Sequence, residues 1–196
     1  MPKIEQFDRK EALEKALEVF WEKGYQGTSI KDLEERMALA RSSIYNTFGD
    51  KEELFFQALS HYQHLQQALA GASLLRASSP LEGIRFLLEG LALESMKDKG
   101  RKGCFVVNAT TELANQHAGL NDLVVRNKDA NLVLLEDLIR KAQAASEIPL
   151  DKNPAGLATF LFSSIQGLRV SAMLLEREKD LTDIINHTVK ALTAAN

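Results

Sequence analysis

The chain of 196 residues is long enough to bury a hydrophobic core in one or two domains, and its charged and apolar fractions are typical of a soluble globular protein. Its single cysteine excludes an internal disulfide and a cysteine-rich metal site, which favours a reducing, cytoplasmic location. The net charge of −3 excludes a globally basic nucleic-acid binder, and residues 1–60 alone carry 9 Lys/Arg against 12 Asp/Glu. Any contact with DNA must therefore come from a local patch. The sequence indicates neither a signal peptide nor a membrane span.

Apolar residues at helical spacing predict an all-α protein of about nine or ten helices, without a strand. Capping residues and glycines divide the N-terminal part into short helices. They are expected over residues 8–24, 28–38 and 41–48, with a fourth helix from residue 50. The polar stretch 71–80 predicts a loop. The remaining helices are expected over residues 80–97, from 104, over 121–145, over 153–176 and after 180.

Two short helices separated by a turn of three or four residues, over residues 28–48, are typical of a helix-turn-helix. If Ile44 and Phe48 are buried, the outer face of the second helix carries hydroxyl, amide, arginine and tyrosine groups without an acid, which suits phosphates and base edges. The predicted DNA-binding residues are Thr28, Ser29, Arg41, Ser42, Ser43, Tyr45, Asn46, Thr47 and Lys51. The alternative is a helix face that is only solvated.

Two segments carry a family resemblance: TSIKDL at residues 28–33 and ARSSIYNTFGDKEEL at residues 40–54. They resemble the DNA-binding domain of the TetR family of bacterial transcriptional regulators, over roughly residues 8–60. The resemblance implies a homodimer that binds a palindromic double-stranded DNA operator, most often as a repressor released by a small-molecule ligand. It also implies a helix-turn-helix domain over residues 1–60 and a helical ligand-binding and dimerisation domain over residues 61–196.

The turn departs from the family pattern, which commonly has a glycine in the turn and a serine or threonine that caps the recognition helix. Here these places hold Ala38 and Ala40. We expect strain at Ala38 if its φ is positive, and the loss of a cap at Ala40 costs about 1 kcal/mol.

A helix after residue 153 is apolar on nearly every side, since 12 of the 19 residues 157–175 are apolar and only Arg169 is charged. Such a helix is buried all round, which suggests packing inside the chain on one side and against a second subunit on another. The resemblance implies the same, a four-helix dimer interface. The predicted interface residues are Leu135, Leu138, Phe162, Ile165, Leu168, Arg169 and Ala172. The alternative is the core helix of a monomer.

We expect an apolar ligand pocket between the helices over 80–97, from 104 and over 121–145. The predicted lining residues are Leu88, Leu91, Cys104, Phe105, Asn108, Glu112 and Phe160. Glu112 is open to three interpretations: a ligand-orienting group, a partner of Arg169, or an exposed acid. No His/Asp/Glu cluster has metal-ligand spacing, and no cofactor motif is present.

Cys104 follows Arg101, Lys102 and Gly103 in the first turn of its helix, where the helix dipole favours a thiolate. Some TetR-like regulators with a similar Gly-Cys start sense electrophiles or oxidants. The alternative is a buried packing residue.

Three different functions compete with a repressor. An enzyme finds no support, since the chain has no phosphate loop, no Gly-x-Ser-x-Gly element and no nucleophile–base pair. An activator fits the same DNA-binding helix, because that helix does not tell where the operator lies relative to a promoter. A small-molecule-binding or protein-interaction module without DNA binding requires the second helix of the pair to be only solvated.

Overall fold

The computed structural model describes residues 7–97, 102–113, 118–174 and 177–194. Within these ranges the regular structure is entirely helical, which confirms the predicted all-α class. The nine helices are α1 (Arg9–Lys23), α2 (Ile30–Met37), α3 (Arg41–Phe48), α4 (Lys51–Leu75), α5 (Pro80–Lys97), α6 (Phe105–Leu113), α7 (Ala118–Ala144), α8 (Pro154–Leu174) and α9 (Glu178–Thr193). Arg101, one of the two basic residues before Cys104, lies outside the described residues.

The predicted caps form at the N-terminal helices. The Asp8 carboxylate accepts hydrogen bonds from two backbone N–H groups at the start of α1. Ser29 with Asp32, and Asp50 with Glu53, form reciprocal capping boxes at α2 and α4. These local hydrogen bonds satisfy N–H groups that have no partner within a helix, and they place the helix starts at the predicted positions.

Three boundaries differ from the prediction by three residues or more. Helix α4 continues through Gly71 to Leu75, because a glycine inside a helix costs only about 1 kcal/mol and Leu74 packs against the C-terminal core. Helix α7 begins at Ala118, three residues before its predicted start. Helix α9 begins at Glu178, and Asp180 lies in its first turn, where it accepts hydrogen bonds from Arg177.

Two hydrophobic cores lie along the molecule. The first joins α1 to α4 with α6 and contains a cluster of aromatic rings. The second consists of aliphatic residues of α5, α7, α8 and α9. Helix α4 leaves the first core and packs along α5, so it connects the two. Helix α6 belongs to the first core although it lies far from the N-terminal helices in sequence.

Helix α8 is the one described helix that is long and apolar enough, by length and composition, to cross a membrane. One such helix is weak evidence for a membrane span. Core helices meet the same criterion, and Leu161 and Leu168 on one face of α8 are fully buried inside the chain. The opposite face exposes Phe160, Val170 and Leu174.

Candidate functional sites

The turn between α2 and α3 has the strain that the sequence predicts. Ala38 adopts a left-handed conformation with φ 56°, and Ala40 at the N-cap of α3 makes no side-chain cap. The Glu34 carboxylate takes over the capping role, because it accepts a hydrogen bond of 2.8 Å from the backbone N–H of Arg41. A side chain from the first helix of the pair thus stabilises the start of the second.

Helix α3 buries Ile44 and Phe48, as predicted, and turns its remaining side chains outward. Arg41, Ser42 and Asn46 are exposed, whereas Ser43, Tyr45 and Thr47 are half-buried. The Arg41 guanidinium lies 5.3 Å from the centre of the Tyr45 ring and donates a hydrogen bond of 3.2 Å to its hydroxyl. Arginine and tyrosine are therefore held together on a face that carries no acid.

Two of the predicted DNA-binding side chains are engaged inside the protein. Thr28 is buried, and its hydroxyl donates to the Gly24 carbonyl at 2.6 Å, so its side chain is not available to DNA, and only the backbone N–H groups that follow it stay predicted as phosphate contacts. The Lys51 ammonium donates to the carbonyls of Tyr25 and Thr28, both at 2.9 Å, which leaves one of its three N–H groups. Ser29 is exposed, but its hydroxyl is paired with Asp32 in the capping box.

A cavity of about 580 Å³ lies between α4, α5, α6, α7 and α8. Its wall combines aliphatic side chains with glutamines, asparagines and threonines, and its volume is in the range of small-molecule sites. The lining residues include Gln63, Gln66, Leu87, Leu91, Val106, Thr110, Lys128, Leu135, Phe162, Ile165, Gln166 and Arg169.

Only Leu91 of the seven predicted pocket residues lines this cavity. Leu88 faces the second core, Phe105 lies in the aromatic cluster, and the Asn108 amide donates to the Lys102 carbonyl. Phe160 is 42% exposed and borders an open cleft beside α9. Spacing alone does not tell which side of a helix that is apolar all round faces the cavity, which explains these misassignments.

Cys104 borders a small recess that shares Tyr62, Gln66, Leu91 and Arg169 with the cavity. The thiol is 4% exposed and accepts a hydrogen bond of 2.6 Å from Arg169 Nη1. Arg169 Nη2 donates to Gln66 Oε1 at 2.9 Å, and the Gln66 amide in turn donates to Glu94 at 2.8 Å. Burial, together with the neighbouring Cys104, raises the pKa of the Tyr62 hydroxyl well above its usual range. Sequence reasoning missed this network because its members come from different helices that lie far apart along the chain.

Glu112 has none of the three roles that the sequence left open. Its two carboxylate oxygens accept hydrogen bonds from the backbone N–H groups of Tyr25, at 3.0 Å, and Gln26, at 2.7 Å. Gly24, with φ 72°, is needed beside it, since a Cβ there would lie 2.8 Å from a Glu112 oxygen. The C-terminal end of α6 is thus fastened to the connection between α1 and α2.

The predicted dimer residues lie inside one chain. Leu135, Leu138, Ile165, Leu168 and Ala172 are buried, and Phe162 and Arg169 are half-buried in the cavity wall, so burial within one chain does not support their prediction as subunit-interface residues. The exposed side of α8 carries a different stripe, at alternating spacings of three and four residues. It comprises Phe160, Ser163, Gly167, Val170 and Leu174. Across the described ranges, no group of three His, Cys, Asp or Glu side chains is placed to hold a metal ion.

Comparison with known families gives two matches. The family described as "Bacterial regulatory proteins, tetR family" matches residues 12–58, and "Tetracyclin repressor-like, C-terminal domain" matches residues 80–188. The chain is 30% identical over 172 residues to the HTH-type transcriptional repressor ComR of Escherichia coli K12, covering 87% of this chain and 81% of ComR.

Two further similarities differ in coverage. The chain is 34% identical over 113 residues to the uncharacterized HTH-type transcriptional regulator YezE of Bacillus subtilis 168, spanning 58% of that protein's length and 57% of its own. It is also similar to the structure of a cysteine mutant of the TetR-family regulator CifR in complex with 26-bp double-strand operator DNA. That structure gives a TM-score of 0.86 at 29% identity, over 97% of this chain and 99% of CifR.

Proposed function

The chain belongs to the TetR family of helix-turn-helix transcriptional regulators, and on this premise we propose that it is a homodimeric repressor of a palindromic operator. A small apolar or electrophilic molecule in the 580 Å³ cavity releases it from DNA. The observation that carries the proposal is the packing of α6, which contacts the cavity and the helix-turn-helix core at the same time.

The DNA contact that we propose is the outer face of α3. Arg41, Ser42 and Asn46 are exposed there and reach base edges, and Tyr45 and Lys51 stand beside them for phosphates. The net negative charge of residues 1–60 leaves few cations for phosphate contacts, so we expect the affinity to fall with salt by a slope that corresponds to this small number of contacts.

The second subunit covers the exposed stripe of α8 in this proposal. Gly167 lies at the centre of this stripe. No atom from another part of the chain lies within 4 Å of the position that a Cβ would take there, so a facing helix can approach closely. Val133, on the neighbouring α7, is 69% exposed and extends the apolar surface. Two such helices from each subunit form a four-helix interface, which places two copies of α3 on successive half-sites of one operator.

Release from DNA follows from the two faces of α6. Val106 and Thr110 line the cavity, whereas Phe105 and Ala109 are buried against the helices of the first core. A ligand that shifts α6 also moves Glu112 and the α1–α2 connection that it binds. The orientation of α3 then changes relative to its copy in the partner subunit, and the two no longer match successive major grooves.

A gel-shift titration with the DNA upstream of the protein's own gene tests the DNA contact. We expect Arg41→Ala and Tyr45→Ala to weaken binding at least tenfold, while Lys179→Ala, on the exposed surface of α9, binds like the parent protein. Absence of binding by the folded dimeric parent at low salt would refute the proposed repressor function. A reporter gene under the bound promoter separates repression from activation.

The electrophilic effector is part of the proposal because Cys104 shares its recess with residues that line the cavity. The thiolate sulfur adds to the β-carbon of an α,β-unsaturated carbonyl compound, the C=C π bond breaks, and the α-carbon takes a proton from water. We expect N-ethylmaleimide to release the parent protein from DNA and to leave Cys104→Ser bound. Release of both proteins alike would assign Cys104 to packing.

The domain division and the cellular location also belong to this proposal. The DNA-binding unit over residues 1–60 and the ligand-binding and dimerisation unit over residues 61–196 divide within α4, which joins the two hydrophobic cores. The protein acts in the cytoplasm, where the operator lies. Limited proteolysis of the DNA complex and fractionation of cells test these two statements separately.

A further inference from the structure

The cavity wall carries positive charge without an acid. Among the described residues that line it, Arg169 and Lys128 are the cations, and none is an aspartate or a glutamate. Lys128 lies at the solvent side, where its ammonium is 3.2 Å from the carboxylate of Asp129. Arg169 lies deep in the wall, between the cavity and the recess of Cys104.

Arg169 is half-buried and lacks the carboxylate partner that a guanidinium shielded from solvent normally has. Within the part of the chain that the structure describes, no carboxylate lies within 4.0 Å of it, and its hydrogen bonds go to a thiol and an amide oxygen. Glu94 is reached only through the Gln66 amide. Because an arginine stays charged in a protein and buried charges are normally paired, this side chain can accept an anion from the cavity. Its five N–H groups provide donors beyond the two in use.

Two amides in the same wall also have polar atoms without a partner. Gln63 Nε2 and Gln166 Oε1 are buried, and neither makes a hydrogen bond. Gln63 is only 8% exposed, and both residues line the cavity. Gln63 Nε2 is a donor, so a bound carboxylate supplies its missing acceptor, whereas Gln166 Oε1 is an acceptor and requires a donor.

Apolar side chains predominate in the rest of the wall, beside threonines, asparagines and further glutamines. Leu87 and Leu91 of α5, Val106 of α6, and Phe162 and Ile165 of α8 surround the cavity with hydrocarbon. A ligand that satisfies the whole wall therefore has a polar, negatively charged end and an apolar body.

We propose that the cavity binds an amphipathic organic anion, with its carboxylate on Arg169 and the amide nitrogen of Gln63, and its hydrocarbon body between Leu87, Phe162 and Ile165. The proposal rests on the proposed function of a ligand-released repressor and replaces its purely apolar effector by one that has a negatively charged end. The carboxylate replaces the missing partner of a half-buried cation, and the body fills an apolar volume of small-molecule size.

Isothermal titration of the full-length protein with straight-chain carboxylates from hexanoate to dodecanoate, and with the primary alcohols of the same length, tests the proposal. We expect each carboxylate to bind at least tenfold more tightly than its alcohol. We also expect binding to strengthen about fourfold for each added methylene until the cavity is full. Equal affinity of carboxylates and alcohols, or no binding of either, would overturn the proposal.

Variants locate the anion. Arg169→Gln should abolish the preference for carboxylate over alcohol, whereas Arg140→Gln, on the exposed side of α7, should retain it. Cys104→Ser should bind the carboxylates like the parent protein, because the thiol accepts from Arg169 and does not contact the anion. If Arg169→Gln does not fold, Gln63→Leu provides the second measurement, with an expected loss of carboxylate affinity of at least fivefold. A carboxylate preference that survives in these two variants would place the anion elsewhere.

The titration and the gel shift distinguish the two proposals. Carboxylate binding without release of DNA would leave the cavity assignment intact and refute release by this ligand class. Release of DNA by N-ethylmaleimide or a neutral compound, without measurable carboxylate binding, would refute the anion site and leave the proposed repressor function intact.

Discussion

The two hydrophobic cores differ in the shape of their side chains. Phe20, Phe55 and Phe105 are fully buried in the first core, with ring centres 5.1 and 5.5 Å apart in edge-to-face contacts. The second core is built mainly from leucine, isoleucine and alanine and adjoins a cavity of about 580 Å³. Large rigid rings at close packing hold one arrangement, whereas aliphatic side chains beside a cavity repack at low cost. The difference matches a unit that presents a fixed helix and a unit that adapts to a ligand.

Helix α6 connects these two kinds of packing. Phe105 contacts the rings of Trp21, Phe55 and Tyr62 in the first core, while Val106 and Val107 line the cavity. We therefore expect a change in the second core to reach the first as the movement of a whole helix, rather than through a chain of side-chain rearrangements.

Matched leucine truncations in the two cores should give the largest difference. Leu59→Ala removes a fully buried side chain from the first core, and we expect it to lower the free energy of unfolding by about 3–5 kcal/mol. Leu91→Ala enlarges a cavity that already exists, and we expect a loss of about 2 kcal/mol. Denaturation in urea measures both. Equal losses would mean that the second core is packed as tightly as the first.

Removal of the carboxylate that fastens α6 should give the next largest effect. Glu112→Ala removes the acceptor of the Tyr25 and Gln26 N–H groups, and we expect a loss of about 2 kcal/mol with weaker DNA binding. Glu112→Gln retains one amide oxygen and should lie between the alanine variant and the parent. Urea denaturation and gel shifts on the three proteins measure this order. Parent-like DNA affinity of the destabilised alanine variant would show that α6 is not coupled to α3.

The sequence predicts the helices of the first core well because their signals are local. The capping box of Ser29 and Asp32 spans four residues, and the buried pair Ile44 and Phe48 spans five. The predicted strain at Ala38 is also found, but its compensation is not predictable from the turn alone. Glu34, which replaces the missing cap, lies seven residues before Arg41 and looks like an ordinary surface acid of α2.

The cavity is beyond sequence reasoning because its groups come from distant helices. Arg169 and Cys104 are 65 residues apart, and Glu112 and Tyr25 are 87 residues apart. Helix α8 is apolar on all sides, so periodicity cannot tell which face meets the cavity and which is exposed. Spacing therefore predicts Phe162 at the dimer interface and Phe160 in the pocket, whereas Phe162 lines the cavity and Phe160 is exposed.

The strained turns of the two regions allow a smaller, matched test. Ala38 after α2 and Ser146 after α7 both have a positive φ, of 56° and 61°. Glycine carries no penalty in this conformation, so Ala38→Gly and Ser146→Gly should each raise the free energy of unfolding by about 1 kcal/mol. Thermal denaturation measures the gain. A loss of stability in Ala38→Gly would show that the helix-turn-helix needs the alanine for a reason other than backbone conformation.

Acid titration should give the smallest effect, because the groups concerned are exposed. Hydrogen bonds from the Lys23 ammonium and from Ser29 hold the pKa of the Asp32 carboxyl well below its usual range, and hydrogen bonds from Ser78 lower the pKa of Glu82 in the second region. A carboxyl whose pKa is lower in the folded state stabilises the protein above its unfolded-state pKa, near 4, and this contribution disappears as the pH falls through the folded-state pKa. We therefore expect Asp32→Asn to be less stable than the parent at pH 7, and the difference to shrink below about pH 4.

Glu82→Gln should behave in the same way with a smaller difference, because the Glu82 carboxylate lacks an ammonium partner. Urea midpoints between pH 7 and pH 3 measure both curves, and a difference that grows on acidification would contradict the assigned direction.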